Sequence, residues 1–339
     1  MNYDIEIGKR IHGFKFIRRA EIPEIGAIAN EAVYEKNGAK LLFIERADAN
    51  KTFAITFKTI PEDDTGVFHI LEHSVLCGSD KYPVKEPFVE LLKGSLKTFL
   101  NAFTFPDKTM YPVSSKNGKD FLNLVDVYMD AVLHPRAVKM PEIFYQEGWH
   151  YELESPDGEM TYKGVVFNEM KGAYSSVDEV MMEKMSALLY PDNCYGKDSG
   201  GAPVSIPKLT YDQFVAAHKR YYHPSNSRII LDGEIDLDKT LALLDSYLSE
   251  YEYLRVDSDI PFIEHRGHTA ACDEYEISDG EDPQGKVRVC LGFASGSYKD
   301  SELNDALGVL ADSIAGSNAS PFKRRVMESG LCEDVNFIF

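Results

Sequence analysis

Short runs that alternate apolar and polar residues fill positions 11–60, and from residue 66 onward the period lengthens to that of a helix. Strands gathered first, with helices after them, argue against a regular βαβ winding. They point to an α+β fold, an antiparallel sheet with helices packed on it. Gly13-Phe-Lys-Phe-Ile alternates. Ile25-Gly-Ala-Ile-Ala-Asn-Glu-Ala-Val-Tyr leads through the turn signal Lys36-Asn-Gly into Lys40-Leu-Leu-Phe-Ile-Glu, and Thr52-Phe-Ala-Ile-Thr-Phe alternates again. By pattern this is an antiparallel meander.

Helical spacing is predicted over 66–76, 86–100, 121–133, 141–147, 168–189, 209–221 and 238–247. Thr210 with Gln213 three residues on is a capping-box signature, and Asp236 or Asp238 is the N-cap of the last helix. Residues 101–114 and 148–154 read as extended. Gly164-Val-Val-Phe reads as a short apolar strand and Arg228-Ile-Ile-Leu-Asp-Gly as another. Residues 252–285 are acidic and turn-rich, a linker and then a fresh start. A strand at Val287-Arg-Val-Cys-Leu-Gly-Phe-Ala and a helix at 303–314 follow. The sequence stops in the strand-like run Val335-Asn-Phe-Ile-Phe, which reads as a second domain cut short.

Lys and Arg number 36 against 55 Asp and Glu, a net charge of −19. Phosphate contacts need clustered basic residues, so nucleic acid is a poor partner, and anionic lipid would repel the chain. The plain reading of the charge is solubility; the sharper one is attraction for basic peptides. The five cysteines include no C-x-x-C pair, which argues against a zinc ribbon and a disulfide framework and suits a reducing cytosol. The first residues lack a basic n-region and an apolar h-region. No apolar stretch approaches the roughly 18 residues a membrane span needs. The expectation is a cytoplasmic protein with neither membrane nor nucleic acid as partner.

His69-Ile-Leu-Glu-His73 is the sharpest local feature. Residues four apart share a helix face, so the two imidazoles can bind one metal ion. Glu72 can approach a metal-bound water and accept its proton. The order H-x-x-E-H reverses that of the zincins. The plain alternative is a pair of satisfied core histidines. A third ligand could come from Glu86, Glu90, His134, Glu147, His150, Glu152 or Glu169. Glu169 has the best setting, after the apolar strand at 164–167 and in the first turn of a helix. As an ordinary residue it would favour the helix dipole there. Cys77, four residues beyond His73, reads as a small buried hydrophobe rather than an added ligand.

Three long stretches extend the motif: His69-Ile-Leu-Glu-His-Ser-Val-Leu-Cys-Gly-Ser, Lys81-Tyr-Pro-Val-Lys-Glu-Pro-Phe-Val-Glu-Leu-Leu-Lys-Gly-Ser, and Thr98-Phe-Leu-Asn-Ala-Phe-Thr-Phe-Pro-Asp-Lys-Thr-Met-Tyr-Pro-Val-Ser-Ser. Gln146-Glu-Gly-Trp-His-Tyr-Glu and Gly164-Val-Val-Phe-Asn-Glu-Met-Lys-Gly continue it. From about residue 10 to its end the chain resembles the insulinase-type (pitrilysin) zinc metallopeptidases, above all the presequence protease branch that includes falcilysin. The resemblance implies one zinc ion held by His69, His73 and Glu169, with Glu72 as general base in the hydrolysis of unstructured peptides. It implies that Phe99, Asn101, Ala102 and Phe103 lie along an edge strand that pairs with substrate. Core packing is the plain alternative for the phenylalanines.

Members of that branch resemble four related α+β domains in two halves. The chain is therefore expected to comprise a zinc-bearing domain at 1–252, a linker at 253–270 and the start of a second related domain at 271–339. Its partners would be unfolded peptides, with a leaning toward basic ones, and the missing C-terminal half. The family's transition-state Arg and Tyr come from that half, so the isolated chain is expected to be weak or inactive. A non-catalytic zinc-binding assembly or peptide-binding module of the same fold is the alternative, although such members tend to lose the zinc motif. A zinc hydrolase of small molecules would need a closed pocket and no substrate edge, against which the 99–112 stretch argues.

Overall fold

A computed structural model describes residues 3–84, 87–262, 267–294 and 296–337. Its strands are β1 (Arg10–Ile11), β2 (Phe14–Ile22), β3 (Ala27–Tyr34), β4 (Lys40–Glu45), β5 (Lys51–Phe57), β6 (Lys97–Leu100), β7 (Phe103–Phe105), β8 (Lys108–Ser115), β9 (His150–Glu152), β10 (Thr161–Lys163) and β11 (Ser227–Asp232). Among the described residues nine of them form one sheet in the order β1-β2-β3-β4-β11-β5-β8-β6, with β7 also on β8. β9 and β10 make a separate hairpin.

The first four strands form the meander that the alternation predicts, but β4 and β5 do not pair. β11 enters between them, parallel to β4 and antiparallel to β5. Its Ile229 and Leu231 are buried at 1% and 0% exposure, so this late strand is central to the sheet. The loop from β4 to β5 leaves its slot, and Arg46 Nε donates to Asp232 Oδ1 at 2.7 Å across the join.

The helices beside the sheet are α1 (Val67–Val75), α2 (Pro87–Gly94), α3 (Gly118–Leu133), α4 (Pro141–Glu147), α5 (Val165–Ala173), α6 (Val177–Leu189), α7 (Tyr211–Tyr221) and α8 (Leu237–Leu248). α1 and α3 lie on the sheet, α8 packs on α3, and α4 and α7 pack on α1. Phe14, Phe43, Phe53, Phe57, Tyr111 and Phe121 fill the core between the layers. The capping box at Thr210 and Gln213 is formed, and Asp236 caps α8.

Three segments differ from their sequence pattern. The apolar spacing over 86–100 does not make one helix: α2 stops at Gly94, where a missing Cβ weakens the helix, and β6 follows. Glu86 lies outside the described residues. Gly164-Val-Val-Phe is the entry to α5 rather than a strand, so Glu169 sits in the second turn of that helix and not the first. The helix predicted over 168–189 is two helices, separated before Ser176, whose side chain caps α6.

The chain divides into two compact units, Met1–Cys290 and Leu291–Phe339. The second carries α9 (Ser301–Ala315) and α10 (Pro321–Glu328), and in it a buried Lys323 pairs with Asp334 at 2.9 Å. The strand predicted from Val287 does not form. Val287, Val289, Leu291 and Phe293 are 81%, 78%, 79% and 80% exposed. A strand exists only as one side of a ladder, and no described strand runs beside this one. Among the described residues no helix is long and apolar enough to cross a membrane.

Candidate metal centre

α1 follows β5 through a short connection and starts at Gly66, whose φ of 67° is left-handed. A Cβ there would stand 2.6 Å from the Gly200 carbonyl oxygen, so only glycine lets the helix start touch the turn at Gly200 and Gly201. That contact sets the first imidazole: His69 Nδ1 lies 2.9 Å from the Gly200 carbonyl oxygen. A carbonyl accepts only, so Nδ1 carries the proton and Nε2 keeps its lone pair for a ligand.

His73 Nε2 points to the same place one turn later. Glu169 Oε2 lies 3.8 Å from His69 Nε2 and 3.6 Å from His73 Nε2. All three ligand atoms fall within 4.8 Å of one another. Zinc bonds of about 2.0–2.1 Å in a tetrahedron separate donor atoms by ~3.3 Å, so a small contraction would close this set on one ion. Two imidazoles and a carboxylate leave a fourth position open, the donor set of catalytic rather than structural zinc. The residues fit the metal.

Both ring nitrogens turned away from the centre face an acceptor. Glu147, at the end of α4 and 6% exposed, places Oε2 3.6 Å from His73 Nδ1. Burial alone would raise its carboxyl, but His73, Gln146 and Cys77 outweigh burial and hold it below the usual range. Burial pulls the His73 imidazole down, and Glu147 with the charges of Glu72 and Glu169 more than reverses this. A carboxylate behind a metal-binding histidine orients the ring and strengthens its basicity.

The other sequence candidates lie elsewhere. His134 is held by Asp130 and Glu250, each at 3.1 Å. His150 contacts the Tyr145 carbonyl and Glu152, and Glu90 pairs with Lys93 on the surface. Cys77 is half-buried and contacts the His73 carbonyl.

Sequence reasoning missed Asp198. Its Oδ1 accepts from the N–H groups of Gly200 and Gly201 at 2.9 and 3.0 Å, and Tyr174 donates to Oδ2 at 2.5 Å. Tyr174 caps α5, the helix that carries Glu169. One small turn thus ties the helix that carries Glu169 to the ring of His69. Asp198-Ser-Gly-Gly is an Asx-turn signature and was the available signal.

Glu72, between the histidines, accepts a 2.6 Å hydrogen bond at Oε2 from the Thr104 hydroxyl of β7. β6 and β7 both pair with β8 on the side away from β5, so residues 97–105 form the outer edge of the sheet. Phe99 is 44% exposed and stacks on Phe103 at 6.3 Å, which sets it apart from a core residue. Ala102 is buried, and the exposed Asn101 accepts from the Ala102 N–H.

A family described as Insulinase (Peptidase family M16) matches residues 60–171, and one described as Peptidase M16 inactive domain matches residues 208–339. Protein HypA of Clostridium perfringens is 50% identical over 328 residues, covering 96% of this chain and 34% of its own. Presequence protease 1, chloroplastic/mitochondrial, of Arabidopsis thaliana is 46% identical over 325 residues, covering 95% and 30%. The mitochondrial presequence protease of Xenopus tropicalis is 39% identical over 336 residues, covering 96% and 32%. The chain therefore spans about a third of the length of these relatives. The crystal structure of pitrilysin shares the fold, with a TM-score of 0.57 at 19% identity over 75% of this chain and 26% of that one. Two matched regions of one family, one holding the histidine motif, and relatives this similar along nearly the whole sequence place the chain in the insulinase family of peptidases, M16.

Proposed function

We propose that the chain carries the zinc-binding and proton-transferring part of a metalloendopeptidase that hydrolyses unstructured peptides. The observation that carries the reading is the convergence of His69 Nε2, His73 Nε2 and Glu169 Oε2 beside a carboxylate, Glu72, tethered to the sheet edge. Bound zinc supplies Lewis acidity, lowering the pKa of water and polarising a carbonyl. His69, His73 and Glu169 hold it, with Nδ1–H of His69 fixed on Gly200. Glu72 takes a proton from the attacking water at Oε1 and returns it to the leaving amine.

The edge formed by β6, Asn101, Ala102 and β7 suits an extended peptide. A strand added there bonds mainly through its backbone, which favours unfolded substrates over a fixed sequence. The acid excess adds a leaning toward basic peptides. In this reading 1–252 is the zinc-bearing domain, 253–270 a linker and 271–339 the start of a related domain in a longer cytoplasmic enzyme, whose remainder completes the active site.

The test is made in the full-length protein. Glu72→Gln is expected to keep about one zinc per chain and lose peptide hydrolysis, by ~10²-fold or more. His69→Ala and Glu169→Ala are expected to lose the metal. Hydrolysis that survives Glu72→Gln would remove the base, and normal zinc content in Glu169→Ala would remove the third ligand. A zinc-loaded wild-type protein that cleaves no peptide would favour a binding module instead.

A further inference from the structure

We propose that Thr104 is the positioning residue for Glu72, a role that rests on the reading of Glu72 as the base. A threonine hydroxyl has a single hydrogen. It lies 2.6 Å from Glu72 Oε2 and 3.5 Å from the Phe68 carbonyl oxygen, so the carboxylate receives it. The shorter distance is that of a charge-assisted O–H···O⁻ bond. Among the described residues no other group donates to the Glu72 carboxylate. One oxygen is thereby pinned and the side-chain torsions with it, while Oε1 is left to handle the proton.

The tether comes from outside the helix. Thr104 is 32 residues from Glu72 and sits on β7, opposite Thr109 of β8. A glutamate on a helix surface otherwise samples several rotamers. Anchoring it to the sheet fixes the base against the same edge on which the proposed substrate lies. Phe103 and Phe105, the neighbours of Thr104, belong to that edge, so the base and the peptide share one frame of reference.

The experiment uses the full-length protein. Thr104→Val matches the shape and the strand preference of threonine and lacks only the hydroxyl. It is expected to lower kcat by ~10- to 100-fold, the effect of a misplaced catalytic group, with KM within about twofold of wild type. Zinc content and chelator resistance should be unchanged, and a crystal structure should show the Glu72 carboxylate turned from its wild-type position. Thr104→Ser should recover most of the activity. In a Glu72→Gln background Thr104→Val should cause no further loss, because it acts through the group already removed. Unchanged kcat in Thr104→Val, a serine variant no better than valine, or an equal further loss in the Glu72→Gln background would each overturn the assignment. An active Glu72→Gln enzyme would instead overturn the base itself, and this inference with it.

Discussion

The candidate metal centre depends on single contacts that hold each ring in one orientation. For His69 the contact is the Gly200 carbonyl, and Asp198 fixes that carbonyl by accepting from two successive backbone N–H groups. Removing those acceptors in Asp198→Ala frees the turn, and the ring loses both its partner and its tautomer preference. Zinc affinity, measured by competition with a chelator, is expected to fall ~10- to 100-fold, as outer contacts of metal-binding histidines usually do. Asp198→Asn keeps an oxygen for the two N–H groups and should stay within a few-fold of wild type. Equal losses in the two variants would show that the carboxylate charge matters and not the turn. The three residues of the motif were legible in the sequence because helical spacing is local: His69, Glu72 and His73 need only one helix to share a face. Glu169 was a preference, since its place depends on how α5 packs. Asp198 and Thr104 are not legible there, because each acts through a turn or a strand that folding brings from 32 to 131 residues away.

At the scale of elements the same division holds. Helix starts are readable at local signals such as Thr210 with Gln213 and Asp236, but the cap at Ser176, with Glu179 three residues on, is hidden inside a continuous helical pattern. Period 2 revealed the strands but not which strand pairs with which. β11 shows the consequence: its sequence reads as one more strand, and only tertiary folding places it between β4 and β5. The run at 287–294 shows the reverse, a strand pattern with no described partner and its apolar residues in solvent. Since β11 bridges the two halves of the sheet, its buried positions should control stability. Ile229→Ala, at 1% exposure, is expected to cost about 2–4 kcal/mol in denaturant unfolding. Arg228→Ala, on the exposed side of the same strand, should stay within about 0.5 kcal/mol. Similar values at the two positions would contradict a central place for β11.

For the molecule as a whole, composition announced a large core and an acid excess, but not which ionisable groups are buried, His218 among them. His218 on α7 is 6% exposed, stacks on Tyr222 at 4.9 Å and donates from Nε2 to the Val132 carbonyl near the end of α3. Burial, with smaller help from His134 and Lys219, pushes its pKa down to about 4 against the pull of the Val132 hydrogen bond. The unfolded chain binds that proton near pH ~6.5, so the folded state is at a disadvantage once the medium supplies it. A depressed histidine contributes stability that is complete above ~6.5 and is lost as pH falls through the window down to about 4. A gap of this size corresponds to on the order of 3 kcal/mol. His134, raised first by Asp130, changes its contribution above this window, and Asp130, held low by His134, Ser79 and Lys81 against burial, changes its own below it. Acidification also relieves the self-repulsion of a chain at −19, which works in the opposite direction. Comparison with His218→Gln cancels that shared effect, since the variant keeps an N–H for Val132 and cannot take up a proton. Denaturant unfolding at pH 7 and pH 4.5 should show the wild type losing ~2–3 kcal/mol more than His218→Gln over this interval. Parallel pH dependences would mean that acid reaches the fold through other groups and that the link between α7 and α3 is not its acid-sensitive point.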